Sequence, residues 1–168
     1  NSQGNIMAVG ALENDGAGEN SGHTRIFSFE GNSWIQKGTD IDGENSLDKS
    51  GRSVSLNSNG DLVAIGAYKN QNNSNLSSNT LVDSGHVRIY KWNENLSNWI
   101  KIGSDINGDF SKDNFGSSVS LSGDGNKVAI GAPLSDFNSQ VDVGLVRVNN
   151  ISPKYSYTWD LNQSEYLT

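Results

Sequence analysis

Apolar residues fall along this chain in short bursts separated by Gly, Asn, Ser and Asp, and two kinds of burst recur. In Ser53-Val54-Ser55-Leu56 and Ser118-Val119-Ser120-Leu121 small polar and apolar residues alternate, the period-two signature of a strand with one covered face. In Leu62-Val63-Ala64-Ile65 and Lys127-Val128-Ala129-Ile130 the alternation is lost, as expected of a strand covered on both faces. Between each pair stands Asn59-Gly60 or Asp124-Gly125, dipeptides that accept positive φ, so each pair predicts a hairpin. His86 to Tyr90 alternates again, with Val87 and Ile89 on one side and His86, Arg88 and Tyr90 on the other. Asn98 to Gly103 adds an aromatic and a glycine stop. These two read as outer strands, giving units of four antiparallel strands.

The pattern is written three times. Gly4–Ala11 matches Gly60–Ala67 and Gly125–Ala132, at spacings of 56 and 65. Ser21–Phe27 matches Ser84–Tyr90 and, more loosely, Gly144–Val148, while Ser33–Leu56 aligns without a gap to Asn98–Leu121. A four-stranded unit at this period, with a variable loop between its second and third strands, is what a β-propeller blade requires, because one sheet leaves its apolar faces bare until neighbours stack on them. The expected fold is an all-β, propeller-like array of about three four-stranded antiparallel blades in a single domain, 1–168. Blade 1 is incomplete and spans 1–50, blade 2 spans 51–114 and blade 3 spans 115–168. The first unit starts at its second strand, and the tail Asp160–Thr168 is a candidate to supply the missing one; Trp159 takes the place of Trp99. Propellers close with about 4 to 8 blades, so the array is expected to be completed by self-association through its end blades or within a longer chain.

Phe115–Pro133, "FGSSVSLSGDGNKVAIGAP", resembles the FG-GAP repeat, named for Phe-Gly and Gly-Ala-Pro, which builds the propeller of integrin alpha chains and many bacterial surface proteins. Elsewhere the motif is altered: Ser50 replaces the Phe before Gly51, and Leu12 and Tyr68 replace the Pro. The resemblance implies a propeller fold and an extracellular or cell-surface location. The family's calcium loop between the first two strands is not carried over, since Leu56–Leu62 and Leu121–Lys127 are too short and hold too few carboxylates.

Composition narrows the partners. The 168 residues carry a net charge of −7 without clustered Lys and Arg, which argues against nucleic acid or anionic membrane. There is no cysteine, hence no disulfide or thiolate zinc site, and no apolar run approaches the ~18 residues of a membrane-spanning helix. Acidic residues do recur on the connections between blades: Asp40, Asp42, Glu44 and Asp48, then Asp105, Asn107, Asp109 and Asp113. Oxygens at alternating positions beside a glycine suit Ca²⁺, and the competing reading is a turn whose carboxylates cap backbone amides. Arg25, Arg88 and Arg147 read as interblade ion pairs with the Asp40 and Asp105 loops, with an anion-binding ring around the channel as the alternative. His23 and His86 read as structural, near the glycine turns. Trp34 and Trp99 are expected to pack between blades, whereas Trp92 lacks a repeat counterpart and is the candidate ligand contact. No nucleophile, phosphate or metalloprotease motif is present. The expected function is a non-catalytic extracellular binding or adhesion module presenting loops to protein or glycan. The alternatives are a structural repeat of a large surface protein and a carbohydrate-active enzyme using carboxylates at the channel mouth.

Overall fold

The structure, a computed structural model, describes residues 1–71, 82–136 and 138–151, and the backbone of 165–167. The first sheet contains β1 (Ile6–Ala11), β2 (His23–Glu30), β3 (Ser33–Gln36) and β4 (Ile41–Asp42). The second runs β5 (Ser50–Leu56), β6 (Leu62–Ala67), β7 (His86–Asn93), β8 (Asn98–Asn107), and the third β9 (Ser118–Leu121), β10 (Lys127–Ala132), β11 (Leu145–Asn150), β12 (Glu165–Leu167). No described residue is helical. All pairings within the sheets are antiparallel, and each alternating strand meets its apolar run through the predicted turn: Leu56 lies opposite Val63 and Leu121 opposite Val128.

β3 and β4 both pair with β2 and occupy the two halves of β8, so Trp34 and Ile41 correspond to Trp99 and Ile106. Among the described residues the first sheet therefore holds the second, third and fourth strands of the unit and not the innermost, as the repeat alignment predicts. The tail behaves differently from expectation. β12 pairs with β11, Leu167 standing opposite Val146 as Ile106 stands opposite Val87, so it completes its own sheet and not the first. The bare edge of β11 offers it the same register that β7 offers β8. Trp159 lies outside the described residues.

Neighbouring sheets bury two cores. Val63, Ile65 and Trp99 of the second sheet meet Ile26 and Ile41 of the first. On its other side Ala64, Val87, Ile89 and Ile106 meet Val128, Ile130 and Ala132 of the third. β6 is thus covered on both faces, which is why its sequence does not alternate. β10 carries nearly the same sequence but is covered on one face only: Val128 and Ile130 are fully buried, while Val146 on the opposite face is 41% exposed. The same holds for β1, whose Met7 and Val9 are 37% and 44% exposed. The expectation of double burial holds for the central copy, because only that copy has neighbours on both sides.

Close approach of the sheets depends on glycine. The carbonyl of Gly116 lies against Gly66, and that of Gly51 against Gly10, so a side chain at Gly66 or Gly10 would overlap backbone. Gly51 and Gly116 also hold φ of +83° and +86°, where a Cβ is strained. Serines of the alternating strand use this proximity: Ser53 Oγ donates to the Gly116 carbonyl at 2.8 Å, and the Leu121 N–H donates to Ser55 Oγ at 2.9 Å.

Candidate functional site at the blade junctions

Antiparallel order puts the loop between the second and third strands on the same side of each sheet as the connector to the next blade. The recurrent acidic residues sit here, and backbone bonds repeat from one junction to the next. Ser50 N–H donates to Ser21 O at 2.9 Å, as Phe115 N–H donates to Ser84 O at 3.0 Å. Leu47 N–H donates to Glu19 O and Lys112 N–H to Val82 O, both at 2.8 Å. The described ends of the first two variable loops are thereby clipped to the connector that follows.

The carboxylates of one connector disperse instead of converging. Asp40 turns back onto its own blade, taking Arg25 Nε at 2.9 Å and Nη2 at 2.8 Å, and Gln36 Nε2 at 2.7 Å. The Arg25 hydrogen bonds hold its carboxyl at about 2, against burial. Asp42 is exposed beside it. Glu44 reaches across the junction to Arg88 of the next blade. Asp48 is buried, accepting Asn45 N–H at 3.0 Å and Asn70 Nδ2 at 2.9 Å. The second connector repeats the plan. Asp105 stays on its own blade with Lys101 at 2.5 Å and Arg88 at 3.3 Å. Asp109 crosses to Arg147, whose Nη1 it holds at 3.0 and 3.1 Å, and the Asn107 carbonyl accepts from the same guanidinium. Asp113 is buried 3.4 Å from Ser135 Oγ, and burial raises its pKa.

Arg88 and Arg147 are therefore interblade ties, as expected, whereas Arg25 is held by Asp40 of its own blade. The acids crossing the junctions are Glu44 and Asp109, whereas Asp40 and Asp105 bind within their own blade. The signal was in the alignment: Glu44 and Asp109 are 65 apart, the spacing of the gap-free repeat. Arg88 and Arg147 are buried, with side chains 8% and 7% exposed. Arg25, paired within its own blade, is 46% exposed. Phe115, the Phe of the motif, is 1% exposed and lies under Arg147, with the guanidinium 4.0 Å from the ring centre. At the equivalent position the other junction has Ser50.

Two groups bring a histidine and two carboxylates within 4.8 Å: His23, Asp40 and Asp42, and Glu44, His86 and Asp105. Each is crossed by a guanidinium, Arg25 or Arg88, which already supplies positive charge. His86 lies 3.7 Å from Asp105, too long for a hydrogen bond, and its burial outweighs the attraction of Asp105 and lowers its pKa, leaving the ring neutral. Burial works against the Asp105 charge as well, yet Lys101, Arg88 and His86 hold its carboxyl below the usual range.

Trp92 is half-buried, and its ring packs on Trp99 at 5.5 Å with Lys37 4.0 Å above it. Trp99 Nε1 donates to the Lys37 carbonyl at 2.8 Å. Trp92 does have a counterpart: Phe29 stands opposite Trp34 as Trp92 stands opposite Trp99, with ring centres 5.2 Å apart. Trp99 packs between blades as expected, whereas Trp34 is 42% exposed on the free face of the first blade.

Residues 107–146, from the end of β8 into β11, match the family described as the FG-GAP repeat. The chain carries an FG-GAP repeat. The match takes in both the Phe-Gly and Gly-Ala-Pro elements, and in the structure these form the connector and the buried strand of the third blade. No curated protein sequence matches the chain significantly. The FG-GAP unit and the stacked antiparallel sheets make this a propeller-type module.

Proposed function

We propose that this FG-GAP chain is a non-catalytic extracellular binding module that presents its variable loops to a protein or glycan ligand. One observation carries this reading. The loops around 12–22, 69–85 and 133–144 all leave on the connector side of the array, where they are clipped to a scaffold whose repeated polar residues bind one another. Loops fixed on a rigid frame are where binding specificity resides. Asp15, Glu19, Asp136 and Asp142 give that side an acidic character suited to a cationic patch on the ligand, while Glu13 and Asp83 are paired with Lys49 and Lys69. Of the connector acids, Glu44 and Asp109 act here as interblade ties.

The test is an array of cell-surface proteins and glycans probed with the chain and with a variant whose residues 12–20 and 134–143 are replaced by Gly-Ser linkers of equal length. Binding that disappears in a variant with an unchanged circular dichroism spectrum supports the reading; binding indifferent to the loops, or turnover of an arrayed glycan, overturns it. Self-association belongs to the same proposal. Met7, Val9, Phe29 and Trp34 at one end and Val146 at the other occupy positions that blade 2 keeps covered. Light scattering should give a mass above that of the monomer, falling to it in Val146→Lys.

A further inference from the structure

Asn-x-Ser, the acceptor tripeptide of N-linked glycosylation, stands at Asn72, Asn75, Asn95, Asn150 and Asn162. Asn72, Asn75 and Asn162 lie outside the described residues, as does the serine that follows Asn150. Asn150 is also engaged: it ends β11, and its Oδ1 accepts from Lys127 Nζ at 2.8 Å. Asn95-Leu96-Ser97 is placed differently. With Glu94 it forms the turn between β7 and β8, and all four residues are exposed, Leu96 at 63%.

This turn projects further than its repeat. In the first sheet the aromatic pair Phe29 and Trp34 is followed by Glu30 opposite Ser33, and two residues close the hairpin. In the second sheet Trp92 and Trp99 are followed by Asn93 opposite Asn98, and four residues close it. The base is fixed, since Asn98 Oδ1 accepts the Thr39 N–H of the first blade at 3.0 Å and Asn93 Oδ1 accepts the Leu96 N–H at 3.1 Å. Those two asparagines are spent on structure. Among the described residues no hydrogen bond engages the Asn95 amide or the Ser97 hydroxyl, the two groups by which the tripeptide is modified and recognised.

We infer that Asn95 is an acceptor for an N-linked glycan on the hairpin side of the array. The donor is an oligosaccharide carried on a polyprenyl diphosphate. The Asn95 nitrogen bonds to the anomeric carbon, the bond from that carbon to the diphosphate oxygen breaks, the polyprenyl diphosphate leaves with the electron pair, and the amide releases one proton. The inference rests on the extracellular reading above, because an exported chain is the one that meets this donor. β7 starts on the loop side at His86 and reaches the turn at its other end, so the sugar lies away from the loops proposed for the ligand.

The test offers the folded full chain, made without glycosylation, to an oligosaccharyltransferase and its polyprenyl-diphosphate oligosaccharide. Sites are mapped by mass spectrometry of peptides after enzymatic release of the glycan in heavy-oxygen water, and circular dichroism confirms that the chain stays folded. A glycan on Asn95 is expected. Ser97→Gly removes the hydroxyl while keeping Asn95, and glycine accepts the φ of +47° at this position, so the loss of modification expected there is not a loss of fold. An Asn95 that stays bare in the folded chain, including one modified only after unfolding in urea, overturns the inference, as does modification that persists in Ser97→Gly. The ligand array reads the loop side separately: a chain that carries the sugar on Asn95 and binds nothing on the array refutes the ligand reading and leaves this one standing.

Discussion

Replacing Asp109 by Asn removes the carboxylate that pairs with Arg147 across the second junction while leaving that guanidinium buried. At 3.0 Å and an effective dielectric of about 20 the gross attraction is about 5 kcal/mol. Truncating one partner of a fully buried pair costs about 3–5 kcal/mol. Two features reduce that figure here. The Asp109 side chain is 44% exposed, so water already screens it, and the mutant arginine keeps the Asn107 carbonyl and the Phe115 ring. The expected loss is about 2 kcal/mol, or a Tm lower by about 4–8 °C for a domain of this size. Urea unfolding followed by tryptophan fluorescence and circular dichroism measures it, provided the two transitions coincide. A double-mutant cycle with Arg147→Met should give a coupling energy of at least about 1 kcal/mol, whereas Asp40→Asn at the exposed Arg25 should leave the midpoint where it was. If Asp109→Asn matches the wild type, or the coupling is zero, the junction is held by its apolar core and the ion pair is incidental.

Three more outcomes follow from the same geometry. Ile65→Ala and Ile130→Ala, at equivalent and fully covered positions, should each cost about 2–5 kcal/mol, while Val9→Ala at the uncovered equivalent should stay within about 0.5 kcal/mol; similar costs at all three would mean that the end faces are covered in solution. Because burial lowers the His86 pKa below 6.5, the unfolded chain takes up a proton that the folded chain resists. The stability His86 contributes above that pH is therefore lost as pH falls through it, and His86→Asn should flatten the Tm profile between pH 7.5 and 5.5; an unchanged slope would show the imidazole to be solvated. Millimolar calcium should leave Tm unchanged, since the connector acids already have partners of their own; a rise that vanishes in Asp105→Asn would reassign them as ligands.

Much of the fold was legible because it is written in local chemistry and then repeated. The alternation of Ser53–Leu56, the Asn59-Gly60 turn and the unbroken run Leu62–Ile65 each follow from which faces of a strand are covered, and three copies of the pattern require sheets that stack. What repetition cannot convey is which faces a neighbour covers. β10 and β1 carry the sequence of a doubly covered strand and are covered once, because burial is a property of neighbours. For the same reason Trp34 is exposed where Trp99 is buried. The destinations of the connector acids were equally hidden. Asp40, Asp42, Glu44 and Asp48 lie within nine residues and look like one cage, but Glu44 reaches Arg88 of the next blade, and Asp48 is drawn to Asn70. Spacing along a chain fixes how far apart side chains sit when the backbone is extended. Only the path of the folded backbone determines whether they share a centre or bind separate partners, and here it gives Asp40 a partner on its own blade and Glu44 one on the next.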